Sequence, residues 1–326
     1  MIRCERRGFG FRGGLAFFLV FMGACSSPES RPEPVPVLRY ENALMELDTA
    51  DMRVGLEEIA SSYPLFFDGV DLQDTLNLWQ LRNFIEDPVV RLLHARIQEQ
   101  YDADSLRLGI SLAGLFREMH RLDPSFRNPV VYTYISYLDH PNRVFFMDSV
   151  LVVGLDLYID GNQDLMDEYG IPRYISQRLN SAYLLPDAAR ILVMSRLDAP
   201  EEGCLLDYIA WEGKIQYALH HVLPDEPDFV LFGYTEAQMD WCRKNEGLVW
   251  DYLVSQGLLF ETDPFEFRYF VNEGPFNPLL PGAPARLAQF VGWRMVEAYM
   301  RKSDADWNAL RQADARTLLE VSRYKP

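Results

Sequence analysis

The amino-acid sequence predicts an α+β fold that is mostly α-helical and carries one small β-sheet. Apolar residues recur at helical spacing over most of the chain, whereas residues 130–160 are rich in β-branched and aromatic side chains. No internal repeat is visible, and the chain length suits one or two domains. We therefore expect residues 38–326 to form a single globular domain.

The segment of residues 38–130 is predicted to be helical. Asp87 and Pro88 are typical of a helix start, because a capping side chain precedes a proline at the first helical position. Apolar residues then recur at helical spacing as far as Ile97, and a second periodic stretch covers residues 108–119.

Two β-rich segments follow, VVYTYISYL and RVFFMDSVLVVGLDLYI. The turn-forming residues Asp139–Asn142 separate them. This pattern predicts a β-hairpin or a small sheet.

The rest of the chain is predicted to return to helices. Thr235 and Gln238 have the spacing of a capping box, before a helix expected to run to about Gly257. Small and apolar residues keep a helical register over Ala283–Met300. The C-terminal segment Trp307–Tyr324 is predicted to form two short helices, of which the second starts at Asp314.

Gly292 lies inside the predicted helix at Ala283–Met300. Glycine in a helix interior costs ~1 kcal/mol relative to alanine, so its presence there needs a reason. We expect close packing against another helix.

The N-terminus has the features of a secretory signal. Four arginines precede an apolar run, Leu15–Ala24, which is shorter than the ~20 residues needed to span a bilayer. Cys25 follows Gly23 and Ala24, and this sequence resembles a lipobox, in which the cysteine is lipidated and becomes the first mature residue. Residues 1–24 are therefore predicted to be a signal peptide, and an ordinary cleaved signal is the competing interpretation.

Charge and composition restrict the possible partners. Without residues 1–24 the chain has 27 basic and 47 acidic residues. Nucleic acid and anionic lipid surfaces are therefore poor partners, because both need basic patches, and no nucleic-acid partner is predicted. Residues 25–37 hold four prolines and are predicted to be a tether between the lipid and the fold. The membrane is then reached through the N-terminal lipid, at ~0.8 kcal/mol per buried methylene group.

Segments over much of the second half carry a family resemblance. They cover residues 158–187, 212–225, 233–263 and 285–304. They resemble the GldB family of gliding-motility lipoproteins of gliding Bacteroidetes, and the C-terminal SRYKP and the lipoprotein signal fit as well. The resemblance implies an envelope lipoprotein needed for gliding and tied to the export of surface adhesins, with other envelope proteins as partners and no known reaction. Ser26, where some bacteria use a retention aspartate, favours the outer membrane facing the periplasm.

A second resemblance, to predicted zinc proteases, concerns the order of the helices around Asn245–Leu248 and the Gly-Trp-Arg helix. Those proteases carry HExxH on the first helix, whereas Trp211–Tyr217 contains no histidine. The resemblance therefore implies a zincin-like scaffold without its metal, a pseudoenzyme for which no catalytic residue, metal ligand or cofactor is predicted. The residues predicted to line the degenerate site or interhelix pocket are Glu212, Lys214, Tyr217, Glu246 and Arg294.

Two hypotheses concern charged groups. Lys214 and Glu246 form either a buried ion pair between two helices or two unrelated surface charges. An acidic stretch is either a calcium site or a solvated surface, and its members are Asp156, Asp160, Asp164 and Asp167.

The sequence leaves the function class and the state of the cysteines open. An active metallopeptidase or amidase would use the atypical ligands His220, His221 and Glu246, although the two histidines are better explained by the C-terminus of a helix. A periplasmic glycan-binding or solute-binding lipoprotein is a third class. Cys204 and Cys242 either form a disulfide or stay free.

Overall fold

The computed structural model describes residues 33–102 and 105–326, which belong to one compact unit. The predicted signal peptide, Cys25 and most of the predicted tether lie outside the described residues. The described part is mostly helical with a small mixed sheet, so the predicted α+β class is confirmed. None of the helices in these two ranges is both long enough and apolar enough to cross a membrane.

The helices account for most of the described residues. In chain order they are α1 (Tyr40–Met45), α2 (Met52–Ala60), α3 (Pro64–Phe67), α4 (Thr75–Glu86), α5 (Pro88–Tyr101), α6 (Ser105–Leu122), α7 (Gln163–Glu168), α8 (Arg173–Ser176), α9 (Leu184–Met194), α10 (Leu205–Val222), α11 (Asp228–Phe232), α12 (Glu236–Lys244), α13 (Glu246–Ser255), α14 (Pro264–Val271), α15 (Leu287–Lys302), α16 (Trp307–Gln312) and α17 (Ala315–Ser322). Short 3-10 turns cover His140–Asn142, Leu155–Tyr158, Ser181–Tyr183 and Leu258–Phe260.

The sheet has four strands among the described residues, in the order β1-β2-β4-β3. They are β1 (Val37–Arg39), β2 (Val130–Tyr134), β3 (Val144–Met147) and β4 (Val150–Gly154). Strand β2 pairs parallel with both β1 and β4, and β3 pairs antiparallel with β4. Parallel strands need a crossover connection, and α1–α6 form the one between β1 and β2.

The small sheet predicted for residues 130–160 is confirmed, and its hairpin turns at Asp148 and Ser149. Both residues have positive φ, 48° and 69°, as a two-residue type I′ turn requires. No local pattern indicated this turn, because Asp-Ser lacks the glycine that usually marks such a turn. The predicted turn cluster at Asp139–Asn142 is confirmed as a 3-10 turn within the connection from β2 to β3.

Residues at the end of the predicted tether already contact the fold. The Val35 N–H donates to the Gly109 carbonyl oxygen at 3.1 Å, and β1 begins at Val37. A Cβ at position 109 would lie 2.6 Å from the Val35 oxygen, so this approach requires glycine. The contacts of the folded part therefore begin before Leu38.

The predicted helix starts are confirmed. Asp87 accepts hydrogen bonds from the first backbone N–H groups of α5, and Pro88 occupies the first position of that helix. Thr235 and Gln238 form the reciprocal bonds of a capping box at α12. Asp314 caps α17, as its position predicted.

The single helix predicted to run to Gly257 is broken at Asn245. Helix α12 ends at Lys244, and α13 starts at Glu246. The Asn245 side chain donates to the Trp241 carbonyl oxygen at 2.8 Å, so it closes one helix while its backbone leaves the helical region.

Helices α10 and α15 cross at the centre of the larger hydrophobic core. A Cβ on Gly292 would lie 1.9 Å from the Ile209 carbonyl oxygen and 2.7 Å from the Gly213 nitrogen. The two backbones meet at two glycines, and the close packing predicted for Gly292 is confirmed. A smaller core beneath α2 and α4 includes Tyr40, which stacks on Phe66 at 3.9 Å between ring centroids.

Candidate functional site

Lys214 is turned toward the C-terminal segment. Its Nζ donates to the carbonyl oxygens of Arg311 at 3.0 Å and Ala313 at 2.6 Å. Burial lowers the pKa of Lys214 from its usual value. Of the two alternatives left open for Lys214 and Glu246, the ion pair is not formed, because backbone carbonyl groups solvate this ammonium instead.

Glu246 belongs to a cluster that ties α13 and α15 to the C-terminus, and we call it the C-terminal lock (Glu246, Arg294 and Tyr324). Arg294 Nε lies 3.1 Å from Glu246 Oε1, and the Tyr324 hydroxyl donates to the same oxygen at 2.8 Å. Burial, followed by the hydrogen bond to Glu246, raises the pKa of Tyr324. The Tyr324 ring also packs edge-on against Trp250, at 5.0 Å between centroids. The structure thus brings together the predicted Glu246 and Arg294.

Tyr217 and the two histidines lie in the last turns of α10. His221 Nδ1 donates to the Tyr217 carbonyl oxygen at 2.7 Å, and the two rings are 4.1 Å apart. His220 Nδ1 donates to the Gln216 carbonyl oxygen at 2.6 Å, and its ring stacks on Trp293 at 4.7 Å. These contacts fit the helix-terminal explanation. In residues 33–102 and 105–326, no three His, Cys, Asp or Glu side chains are placed to hold a metal ion.

The acidic stretch does not form a calcium site, because each carboxylate has its own separate role. Asp156 is fully buried and accepts from the N–H groups of Ser136 and Leu138, both at 2.8 Å. Asp160 accepts from the backbone and hydroxyl groups of Ser181 at 2.9 and 2.8 Å. The other two aspartates face different partners, Arg96 for Asp164 and Gln163 for Asp167.

The thiols of Cys204 and Cys242 are both free, which is one of the two states that the sequence left open. Cys204 precedes α10, where it takes part in a capping box with Asp207. Burial raises the pKa of Cys242 to about 12, so this thiol is inert as a nucleophile at neutral pH.

The remaining predicted residue, Glu212, lines a cavity of about 180 Å³ beside α10 and α15, which we call the arginine cavity. Arg190 on α9 donates through Nη2 to both carboxylate oxygens of Glu212, at 2.7 and 2.8 Å. Arg143, before β3, binds Asp187 through Nε at 2.6 Å and through Nη2 at 3.1 Å. Burial alone would lower the pKa of Arg143, but the Asp187 carboxylate outweighs it and raises the pKa.

The other two arginines of the cavity share one carboxylate. Arg178 Nη2 lies 2.6 Å from Glu273 Oε2, whereas Arg286 Nη1 is 3.9 Å from Glu273 Oε1. Arg286 Nη2 donates to the Phe232 carbonyl oxygen at 2.9 Å. Burial, and then the positive charge of Arg178, lower the pKa of Arg286 to about 10.

Two glutamines connect this cavity to the helix crossing. Gln216 is fully buried one turn after Glu212, and its Nε2 donates to Gln289 Oε1 at 3.1 Å. Gln289 Nε2 in turn donates to the Phe232 carbonyl oxygen at 3.0 Å. Glu212 and Gln216 thus lie on one face of α10, four positions apart. This donor set does not fit zinc, because Arg190 engages both oxygens of Glu212 and the amide of Gln216 is bound to a second amide.

Sequence reasoning missed the arginine cavity. Its members come from distant segments, and Arg286 adopts a left-handed backbone with φ of 57°, which no local pattern predicts. A signal was present, however, because Arg190 and Arg286 each stand beside apolar stretches of an acidic chain. Arginine in such a place needs a carboxylate partner.

The described fold defines an acidic α+β domain built around a crossed helix pair, which carries the C-terminal lock and the arginine cavity. The gliding motility protein GldB family matches residues 26–326, so the chain belongs to this family. Comparisons with curated proteins and with solved structures gave no match. Membership confirms the family expected from the sequence and indicates a gliding-motility lipoprotein of the cell envelope. The zincin-like resemblance stays a prediction.

Proposed function

We propose that this chain is a lipid-anchored protein of the outer membrane that faces the periplasm and supports gliding, or the linked secretion and assembly of surface adhesins, through contacts with other envelope proteins. The observation that carries the proposal is the family match over residues 26–326. The lipobox-like sequence before Cys25 supports the anchor, and the acidic composition supports protein partners over nucleic acid.

The scaffold acts without a metal in this proposal. Support comes from α10, where Glu212 is neutralised by Arg190 and Gln216 is held by Gln289. Elemental analysis of the full chain purified in detergent is expected to find no stoichiometric zinc. Near-stoichiometric zinc that is lost in Glu246→Gln would contradict the metal-less scaffold and favour an active peptidase or amidase.

The anchor is tested by Cys25→Ser in the native organism, with Cys4→Ser as the matched control. Cys4 lies in the predicted signal peptide, so its replacement is expected to change nothing. Cys25→Ser is expected to move the chain out of the membrane fraction and to abolish spreading on agar. A chain that stays in the membrane fraction would contradict the lipid anchor, and normal spreading without membrane attachment would contradict the need for it.

A further inference from the structure

The arginine cavity has more positive than negative charge. Among the described residues, four arginines and three carboxylates line it, in a chain whose formal net charge is −17. Two of the arginines have a carboxylate each, and Arg178 and Arg286 share Glu273. One positive charge is therefore left without a carboxylate of its own, which is costly in a buried place unless an anion joins it.

The unpaired donor belongs to the most enclosed arginine. Arg178 is 7% exposed, and its Nε has no hydrogen-bond partner within the described part of the chain. Buried guanidinium N–H groups are normally satisfied, so this unpaired donor adds to the cost of the surplus positive charge. Arg286 adds a second guanidinium, held in place by the Phe232 carbonyl oxygen.

The backbone leaves room for these two guanidinium groups. Gly233 has φ of +62°, and a Cβ there would lie 2.9 Å from Arg178 Nη1 and 3.1 Å from Arg286 Nη2. The glycine thus permits both side chains to lie against the main chain. Apolar side chains complete the wall, among them Val230 and Val271.

We propose that the arginine cavity binds a small monocarboxylate, with the carboxylate on Arg178 and Arg286 and a short apolar group against Val230 and Val271. Guanidinium groups match the planar geometry of a carboxylate through paired N–H donors. A single excess charge fits a monoanion, whereas the three carboxylates in the same wall repel a dianion such as phosphate. The volume of about 180 Å³ suits a group of amino-acid size. The inference does not depend on the role in gliding.

The test is calorimetric titration of the full chain in detergent with N-acetyl-leucine and with its amide, N-acetyl-leucinamide. The acid is expected to bind and the amide is not. The carboxylate could belong to a free small molecule or to the C-terminus of a peptide. A peptide ending in leucine with a free carboxylate distinguishes these two sources, because it binds only if the cavity admits the end of a chain. Equal binding of acid and amide, tighter binding of inorganic phosphate, or no binding of the acid at millimolar concentrations would each overturn the proposal.

Variants locate the site. Arg178→Gln is expected to weaken binding of the acid about tenfold or more, because a charge-assisted hydrogen bond is lost. Arg178→Lys keeps the charge but not the paired donors, so it is also expected to weaken binding. It serves as a second variant in case Arg178→Gln does not fold. Arg301→Gln, at a 62% exposed side chain on α15, is the matched control and is expected to bind as the natural chain does. Unchanged binding in both Arg178 variants, with the fold intact by circular dichroism, would exclude this cavity as the site.

Discussion

The C-terminal lock and the arginine cavity are both built mainly from arginines and carboxylates, but they differ in charge balance. In the lock, the Glu246 carboxylate receives Arg294 and the Tyr324 hydroxyl. Arg294 also binds Glu297 at 2.5 Å, and Arg301 lies 3.8 Å from the same carboxylate, so two arginines face two carboxylates. In the cavity, four arginines face three carboxylates around a space of about 180 Å³. The lock has matched charges, whereas the cavity has a surplus cation and room beside it.

The difference shows that charge balance and space, more than residue type, distinguish a structural ion cluster from a candidate binding site. Both clusters depend on the crossing of α10 and α15, because Arg294 and Gln289 lie on α15 and Glu212 lies on α10. A change at the crossing should therefore disturb both, and changes within one cluster should leave the other intact.

The largest effect is expected from Gly292→Ala at the crossing. The new methyl group would overlap the Ile209 carbonyl oxygen, so the helices must separate, at a cost of about 3 kcal/mol in the free energy of unfolding. Urea denaturation measures this cost. Gly114→Ala in α6 is the control, since nothing lies within 4 Å of its Cβ position, and it is expected to leave stability equal or higher. A Gly292→Ala protein as stable as Gly114→Ala would show that the crossing can relax.

Loss of the lock is expected to have a smaller effect. Glu246→Ala removes the acceptor of Arg294 and Tyr324 and should lower the free energy of unfolding by about 2 kcal/mol. Glu320→Ala, at an exposed position of α17, is the control and should change it little. Binding of N-acetyl-leucine should persist in Glu246→Ala. A loss of that binding in a folded protein would mean that the two clusters are coupled.

Local patterns predicted the parts of this molecule that local chemistry fixes. The caps at Asp87, Thr235 and Asp314 were correct because a capping side chain acts within three residues of itself. The hairpin turn at Asp148 and Ser149 was missed because both residues adopt positive φ without a glycine. The partners of Lys214 could not be predicted from local patterns, since it binds carbonyl groups almost a hundred residues away in sequence.

The same limit applied to the candidate site. Glu246 and Arg294 were both predicted, and the structure joins them, but only Glu212 pointed toward the arginine cavity. Arg178 and Glu273 meet across 95 positions of sequence, a distance over which spacing carries no information.

Within the cavity, Glu273→Gln is expected to tighten binding of N-acetyl-leucine. The variant removes the carboxylate that Arg178 and Arg286 share, so the cavity gains a positive charge relative to the natural chain. Because the Glu273 side chain is 41% exposed, solvent screens the change and the gain in affinity should be about threefold. Calorimetric titration measures it, with Glu320→Gln as the control. Weaker binding in Glu273→Gln would mean that Glu273 positions the arginines more than it competes with the ligand.

The smallest expected effect is a dependence of stability on pH that comes from Glu273. Burial alone would raise the pKa of this carboxyl group, but the charges of Arg286 and Arg178 outweigh burial and lower it. A carboxylate whose pKa is lower in the folded chain stabilises that state above the unfolded pKa of about 4.3, and the contribution is lost as the pH falls through the folded pKa. Urea midpoints measured from pH 5 downward should therefore fall less steeply in Glu273→Gln than in the natural chain. Parallel curves for the two proteins would contradict the shift and show that the arginines do not act on Glu273.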